Sequence, residues 1–343
     1  MSLDVSLLNR EDEPAWDAFV LAAPRGTFFH LSAWRRIIEQ TLNHKTYYLQ
    51  AARNGTIVGV LPLTHVKGLI FGNSLISNAF CVYGGIVASD EEARKALELE
   101  CVRLAGDLKV DRVEFRSVQP AQPGWTRKDG LYVTFRKAIV PDVDANMKAI
   151  PRKQRAMVRK GISNGLISEL DSGVERVHEI YAESVRNLGT PVFSKRFFEA
   201  LKKEFSAACD VVTVTHLGEP VASVMNFYFR DEVLPYYGGG TAKARDLAAN
   251  DFMYWEVMRR ASERGVRLFD FGRSKVGTGS YNFKRYWGFE PTPLAYEFKP
   301  IGRQEIPDIN PLNPKFGPLI ALWRRMPLSL TKLIGPPIVR LIG

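Results

Sequence analysis

Cysteine is scarce. Only Cys81, Cys101 and Cys209 occur in 343 residues, and no two are spaced as a metal-binding or redox pair. That excludes a disulfide framework and a cysteine-based zinc site, and it fits a reducing compartment. The five histidines are equally scattered, with no metal-ligand spacing, so no metal is expected. His30 and His216 lie in apolar surroundings and read as satisfied structural residues. No apolar run reaches the length of a bilayer span. The N-terminus, MSLDVSLLNREDEPAW, has acids where a secretory signal has a basic region and an apolar core. A cytoplasmic protein is the expectation. No Ser–His–Asp or Cys–His grouping calls for a covalent intermediate.

What is present is an ordinary globular composition, 45% hydrophobic and 24% charged, long enough at 343 residues for two domains. The net charge of +10 points to anionic partners: phosphates, nucleic acid or a membrane surface.

The order of elements repeats. In the first half, strands are predicted at Lys45–Ala52 and Thr56–Val66 around an Asn54-Gly55 turn. The apolar run Leu69–Ile76 and CVYGGIVAS (Cys81–Ser89) follow. A helix is predicted from Asp90 to Leu108, with Ser89 or Asp90 as N-cap, and then a strand from Val110 to Val118. In the second half, strands are predicted at Cys209–His216 and Val221–Phe229 around Gly218-Glu219-Pro220. Val233–Tyr237 leads into Gly238-Gly239-Gly240, a helix runs from about Asn250 to Arg264, and Val266–Phe271 is the last strand. YGGIVAS before VEFRS thus answers YYGGGTAK before FDFGRS. A strand–helix–strand crossover requires parallel neighbours in each half. Such strands can diverge at their ends, where the helix presents free N–H groups to a ligand lying in the gap. Tyr237, Gly238 and Gly239 at the strand end, and Asn250 at the helix start, are therefore candidate substrate-binding residues.

The chain is organised around Val266 to Pro291, VRLFDFGRSKVGTGSYNFKRYWGFEP. A buried strand runs into a loop with Gly272, Gly277 and Gly279, followed by the aromatic and basic block Tyr281, Phe283, Lys284, Arg285, Tyr286, Trp287. Taken singly, Phe283, Tyr286, Trp287 and Phe289 read as core and Lys284 as a solvated charge. Taken together they read as a site that stabilises negative charge. Arg273, just after the strand, suits a phosphate or carboxylate. Asp270 suits either orienting an amine or holding the loop. If the block runs as a strand, Lys284 and Arg285 point to opposite sides.

Two stretches lack acids altogether. Between Ala145 and Ser168 lie six cations, and Pro151 suits the first turn of a helix. Arg152, Arg155 and Arg159 then share one face, suited to the phosphates of a nucleotide sugar, a lipid diphosphate or tRNA. A solvated linker helix is the other reading. From Ile309 the tail has six prolines, five Lys or Arg and no acid. Its apolar pieces, Leu319–Trp323 and Leu328–Ile334, suit an anionic membrane surface with Trp323 and Arg324-Arg325 at headgroup level. Packing back across the domains is the alternative.

Phe269-Asp270-Phe271-Gly272, the block Tyr281 to Gly288 and the basic block Ile150 to Gly165 resemble FemAB-type proteins, the tandem-GNAT family that includes peptidoglycan aminoacyltransferases. The resemblance is nearest to FemAB-like proteins associated with exosortase/PEP-CTERM systems and exopolysaccharide gene clusters, and runs from about Thr27 to Phe298. It implies an α/β (α+β) fold of two tandem GNAT-like domains with mixed sheets. The expected division is 1–145, 146–300 and a tail of 301–343.

It also implies N-acyl transfer to an amine on a cell-envelope precursor or exopolysaccharide sugar, with Phe283 and Lys284 supplying oxyanion stabilisation. No cofactor is firmly implied. The co-substrate would be an acyl donor, either aminoacyl-tRNA or an acyl thioester such as acyl-CoA. The acceptor would be a phosphate-bearing small molecule or a lipid-linked glycan, at the inner face of the membrane. Two departures bear on the donor. Thr241–Asn250 has no glycine where acetyl-CoA users of this class place a Gly-rich pyrophosphate loop, and no long coiled-coil insertion accompanies a tRNA site. A non-catalytic assembly protein of an export system, on a decayed transferase fold, is the alternative from a different class.

Overall fold

The structure, a computed structural model, describes residues 3–68, 72–118, 122–302 and 317–342. Its contacts divide the chain into two compact units. The first comprises the described residues of Met1–Leu131, Pro293–Asn310 and Arg340–Gly343, the second Tyr132–Thr292 and the described residues of Pro311–Val339.

In chain order the first unit contains β1 (Leu3–Leu7), α1 (Glu13–Ala22), α2 (Ala33–Ile37), β2 (Lys45–Thr46), β3 (Leu49–Arg53), β4 (Thr56–Leu61), β5 (Thr64–Gly68), β6 (Gly72–Ser77), β7 (Val87–Ala88), α3 (Glu91–Asp107) and β8 (Arg112–Phe115). One sheet has the order β1-β3-β4-β7, and β8-β6-β5-β2 are neighbours in another. The two long strands predicted here are each broken. Between β2 and β3, Tyr47 N donates to Leu63 O and Tyr48 O accepts from Leu8 N. Pro62, with no N–H for a ladder, separates β4 from β5. The helix α3 is where the sequence puts it. Asp90 caps it by accepting from Ala93 N at 2.9 Å, and it buries Ala93, Leu97, Cys101 and Ala105, all on one face.

The chain passes to the second unit within β9 (Thr126–Ala138). There follow α4 (Val143–Ala149), α5 (Arg152–Ser163), β10 (Ile167–Leu170), α6 (Glu175–Leu188), α7 (Lys195–Phe205), β11 (Cys209–His216), β12 (Glu219–Phe229), β13 (Glu232–Gly240), α8 (Ala249–Glu263), β14 (Leu268–Lys275) and α9 (Gly279–Tyr286). The strand order is β10-β11-β12-β13-β14-β9. Helices α6 and α8 cover opposite faces: a Cβ on Gly239 would meet Ser184 of α6, and one on the preceding Gly238 would approach Tyr254 of α8. β15 (Pro291–Pro300) returns to the first unit, pairing Glu297–Pro300 with β8. The units are therefore not the consecutive segments 1–145 and 146–300. Residues 132–138 join the second unit because they pair with β14, and residues 297–300 join the first because they pair with β8.

Each unit contains one helical crossover between parallel strands, β6–α3–β8 and β13–α8–β14, as the repeated order requires. The Gly motifs are not equivalent, however. Gly238–Gly240 lie within β13, whereas Tyr83-Gly84-Gly85 form a loop after β6. That loop folds back on the strand ends: Gly84 N donates to Arg116 O, and Gly85 N to Ser77 Oγ, both at 2.8 Å.

The tail forms α10 (Gly317–Arg325) and α11 (Leu328–Val339), which pack on α6. Trp323 is buried there rather than held out at headgroup level. Residues 309–316 of the predicted tail lie outside the described residues. Among the described residues no helix is long and apolar enough to cross a membrane.

Candidate active site

β13 and β14 pair only at Glu232↔Leu268 and Val233↔Phe269. Beyond that point β13 stays with β12 as far as Gly240, and β14 stays with β9 as far as Lys275. The parallel strands therefore fork, and irregularities mark both prongs. On β13, Pro235 has no N–H for a ladder, and the β12 register shifts between Met225 and Asn226. On β14, Phe271 is the extra residue of a bulge and Gly272 takes φ +68°. Arg136 of β9 pins the closed end, pairing with Asp270 of β14 at 3.3 Å and with Glu232 of β13.

Lys284 sits on the open side of this fork. Its Nζ donates to three consecutive carbonyls of β14: Phe271 at 2.6 Å, Gly272 at 3.1 Å and Arg273 at 3.2 Å. Consecutive carbonyls of a regular strand point to opposite edges, so their convergence on one amine requires the turn of backbone at the Gly272 bulge. The ammonium gives hydrogen bonds to backbone that has no β13 neighbour there. It also lies 5.7 Å from the ring centre of Phe135 and 5.8 Å from that of Phe271. Burial pulls the Lys284 pKa down from 10.5 to about 7, Asp270 opposing the shift and Arg273 adding to it. The side chain is thus a poised acid or base near neutral pH, not the solvated charge of the single-residue reading.

The block that carries it is a helix, not a strand. Thr278 caps α9 through its side chain. At the other end Gly288, at φ +76°, closes a Schellman motif: Gly288 N donates to Arg285 O at 2.9 Å and Phe289 N to Lys284 O at 3.3 Å. Successive side chains therefore differ by about 100° rather than alternating. Arg285 still points away, exposed, with its guanidinium 5.8 Å from the ring of Tyr281. Phe283 packs against Tyr254, Phe271 and Trp287, and Tyr281 meets Phe135 edge-on at 5.5 Å. Both are half-buried supports of the helix.

Asp270 holds the bulge. It is 2% exposed and accepts from Gly272 N at 2.7 Å as well as pairing with Arg136. Of its two expected roles, fixing the backbone is the one with visible partners. Arg273 lies on the open prong of β14, its guanidinium 4.5 Å from the Tyr132 ring.

The glycine stretch has a packing explanation. Tyr237 is buried among Tyr181, Phe197 and Phe198. A Cβ on Gly239 would lie 2.4 Å from Ser184 Cβ, and one on Gly238 would lie 2.9 Å from Val224 Cγ2. Asn250 fits against Gly240, where a Cβ would come within 2.8 Å of Asn250 Oδ1. Close protein neighbours leave no room for larger side chains here. The next loop is also occupied, since Ala242 N donates to the Glu183 carboxylate at 3.1 Å.

The basic block is α5, with Pro151 at its N-cap. It buries Gln154, Val158 and Gly161 and turns Arg152 and Arg159 outward, with Arg155 half-buried between them. None of the three arginines has a carboxylate in ion-pair range among the described residues. Its first turn abuts the end of α9, where a Cβ on Gly288 would lie 3.0 Å from Pro151.

Two features had no signal in the sequence strong enough to single them out. Asp251, in the first turn of α8, accepts from Trp287 Nε1 at 3.0 Å and from Gln154 Nε2. It joins α5, α8 and α9 at one buried carboxylate, whose pKa burial raises against those two hydrogen bonds. Ser274, buried on β14 next to Arg273, has an Oγ with no hydrogen-bond partner among the described residues. An acid on an apolar helical face was the only clue to the first, and the second had none.

Residues 146–285 match the family model described as "Acetyltransferase (GNAT) domain". The second unit carries a GNAT-type acyltransferase domain. The crystal structure of FemX is similar to most of the chain, with a TM-score of 0.70 at 15% identity, over 86% of this chain and 96% of that one. A tandem GNAT protein from the clavulanic acid biosynthesis pathway gives 0.57 at 14% identity, over 89% and 100%. The C-terminal domain of a putative lysylphosphatidylglycerol synthetase from Agrobacterium fabrum gives 0.56 at 14% identity, over 85% and 92%. These likenesses establish the expected tandem GNAT-like fold. No curated protein matches the chain in sequence.

Proposed function

We propose that this acyltransferase is of FemAB type and joins an activated acyl or aminoacyl group to an amine on a cell-envelope precursor or exopolysaccharide sugar. The observation that carries the proposal is Lys284 at the open fork of β13 and β14, held by the carbonyls of Phe271, Gly272 and Arg273. The acceptor amine attacks the acyl carbonyl, and the carbonyl oxygen gains negative charge. Lys284 turns a proton from a β14 carbonyl to that oxygen. As the intermediate collapses, the C–N bond remains, the bond to the leaving alcohol or thiol breaks, and the amine's proton passes to the leaving group.

The arginines of α5, with no carboxylate in ion-pair range among the described residues, suit the phosphates of a nucleotide sugar, a lipid diphosphate or tRNA. The carboxylate of Glu183 on the loop amide of Ala242 favours a donor whose phosphates are held elsewhere than in an ordinary CoA loop. This supports aminoacyl-tRNA over acyl-CoA. A phosphate-bearing, lipid-linked acceptor would put the enzyme at the inner face of the membrane, in the exopolysaccharide and PEP-CTERM setting. The test is mass spectrometry of ligands retained by the purified protein, followed by transfer assays onto amino sugars. Transfer from aminoacyl-tRNA, slowed roughly 10²–10³-fold in Lys284→Met, is expected. Transfer from neither aminoacyl-tRNA nor acyl-CoA would overturn the proposal.

A further inference from the structure

Helix α11 is apolar on two opposite sides. Thr331, Gly335 and Val339, at i, i+4 and i+8, are buried. Gly335 has no room for a side chain, since a Cβ there would lie 3.1 Å from the Val192 backbone. Leu330, Leu333 and Pro337, at i, i+3 and i+7, form the stripe on the far side and are exposed. Leu333 is 73% exposed and Leu330 41%. On the neighbouring α10, Trp323 is buried, while Leu319 and Leu322 are 64% and 57% exposed. Scattered exposed leucines need no explanation, but five exposed apolar side chains on two consecutive helices do.

The charge around these helices identifies what covers them. The described residues 317–342 contain Arg324, Arg325, Lys332 and Arg340 and no acid. Lys332 reaches inward to Glu179 of α6, and Arg324 donates to Leu188 O at 3.3 Å, while Arg325 is exposed. A second copy of the same patch would bring cation against cation, which disfavours a two-fold pairing. An anionic surface is complementary.

We infer that the outer face of α10 and α11 is a membrane-docking surface, in which Leu319, Leu322, Leu330 and Leu333 enter the headgroup–acyl boundary of anionic lipid and Arg325 meets the phosphates. It differs from the sequence expectation in its anchor. Trp323 and the inward faces fix the helices to α6, and the leucines meet the lipid. The inference rests on the proposed membrane-side location. Its test reads lipid binding directly, so a protein that transfers acyl groups without binding vesicles, or binds without transferring, separates the two.

The experiment is co-sedimentation of the full chain with vesicles of phosphatidylglycerol and phosphatidylcholine, and with phosphatidylcholine alone. The wild type should sediment with the anionic vesicles and weaken with salt. Leu322→Gln/Leu333→Gln should bind on the order of tenfold more weakly. Arg325→Gln should lose about fivefold, the usual weight of one cation near such a surface. Leu99→Gln, an exposed leucine on α3, should bind as the wild type does. Thermal melts establish that the variants are folded, and should the double variant unfold, Arg325→Gln and the salt series decide. Absence of wild-type binding, or unchanged binding by the folded double variant, overturns the inference. So does a self-association of the wild type that the double variant abolishes, because the patch would then be a protein interface.

Discussion

The indole of Trp287 donates to the carboxylate of Asp251 at 3.0 Å, and this bond ties the end of the Lys284 helix to the first turn of α8. Trp287 is fully buried, and Gln154 of α5 donates to the same oxygen. Three helices thus take their mutual position from one carboxylate, with the favourable end of the α8 dipole beside it.

Asp251→Ala should leave both donors without an acceptor and cost about 1–3 kcal/mol. Asp251→Asn should keep both hydrogen bonds, because its Oδ1 accepts in the same place. The pH dependence has a definite sign. Burial raises the folded pKa above the unfolded value of 3.8, so the folded state binds the extra proton. Asp251 therefore favours folding at low pH, and that contribution is lost as pH rises through its folded pKa. Denaturation series should show Asp251→Asn gaining on the wild type between acid and neutral pH. A difference independent of pH would contradict the buried-carboxylate account.

Gly239→Ala tests whether the glycine stretch serves packing or a ligand. The new Cβ would lie 2.4 Å from Ser184 Cβ, so overpacking should cost about 1–3 kcal/mol. Ser184→Gly should restore part of that loss in the double variant, although a helical glycine itself costs about 1 kcal/mol. Additive losses in the two variants would mean that Ser184 is not the obstacle.

Much of this architecture was legible because strong local signals agreed with the fold. β11 runs from Cys209 to His216 as read, and α8 differs from its expected limits by one residue at each end. β14 was cut short because Gly272 reads as a boundary, whereas its positive φ makes a bulge and pairing with β9 continues to Lys275. The partner β9 itself carries Gly130 and five charged residues before Ala138, and its polar sequence conceals a strand. Phe283 and Lys284 were found through resemblance, yet the helical state of their block was missed. Eight residues are too few for periodicity to distinguish a helix from a strand. Asp251 matters only through side chains distant in sequence, and no local pattern encodes that.

The α5 arginines should matter for anions and little for folding. Arg152→Gln/Arg155→Gln/Arg159→Gln should change unfolding free energy by only about 0.5 kcal/mol per site, since surface positions without an ion pair seldom do more. Calorimetry with UDP-N-acetylglucosamine as the probe should show about tenfold weaker binding, with a smaller salt dependence than the wild type. Retention of bulk tRNA, measured in parallel, distinguishes the two classes of phosphate. Unchanged binding of both would return α5 to a solvated helix.

Lys284→Met is the decisive substitution. If the ammonium stabilises an oxyanion, kcat should fall by roughly 10²–10³, while donor binding changes far less, because the interaction strengthens only in the transition state. Lys284→Arg should rescue partly, since a planar fork cannot converge on three carbonyls as an ammonium does. Arg285→Met is the control: exposed and about 100° around α9, it should leave kcat near the wild-type value. Because burial brings the Lys284 pKa to about 7, wild-type kcat should decline as pH rises through that value, and the variant's residual activity should lack that limb. A limb that instead rises with pH would make Lys284 a general base. Stability follows the same titration. The folded pKa lies below the unfolded 10.5, so the unfolded chain binds more protons between about 7 and 10.5 and the wild type gains stability across that window. Lys284→Met should not gain it. Equal kcat in Lys284→Met and wild type would refute the assignment, and equal losses in the Lys284 and Arg285 variants would reduce the site to a general positive patch.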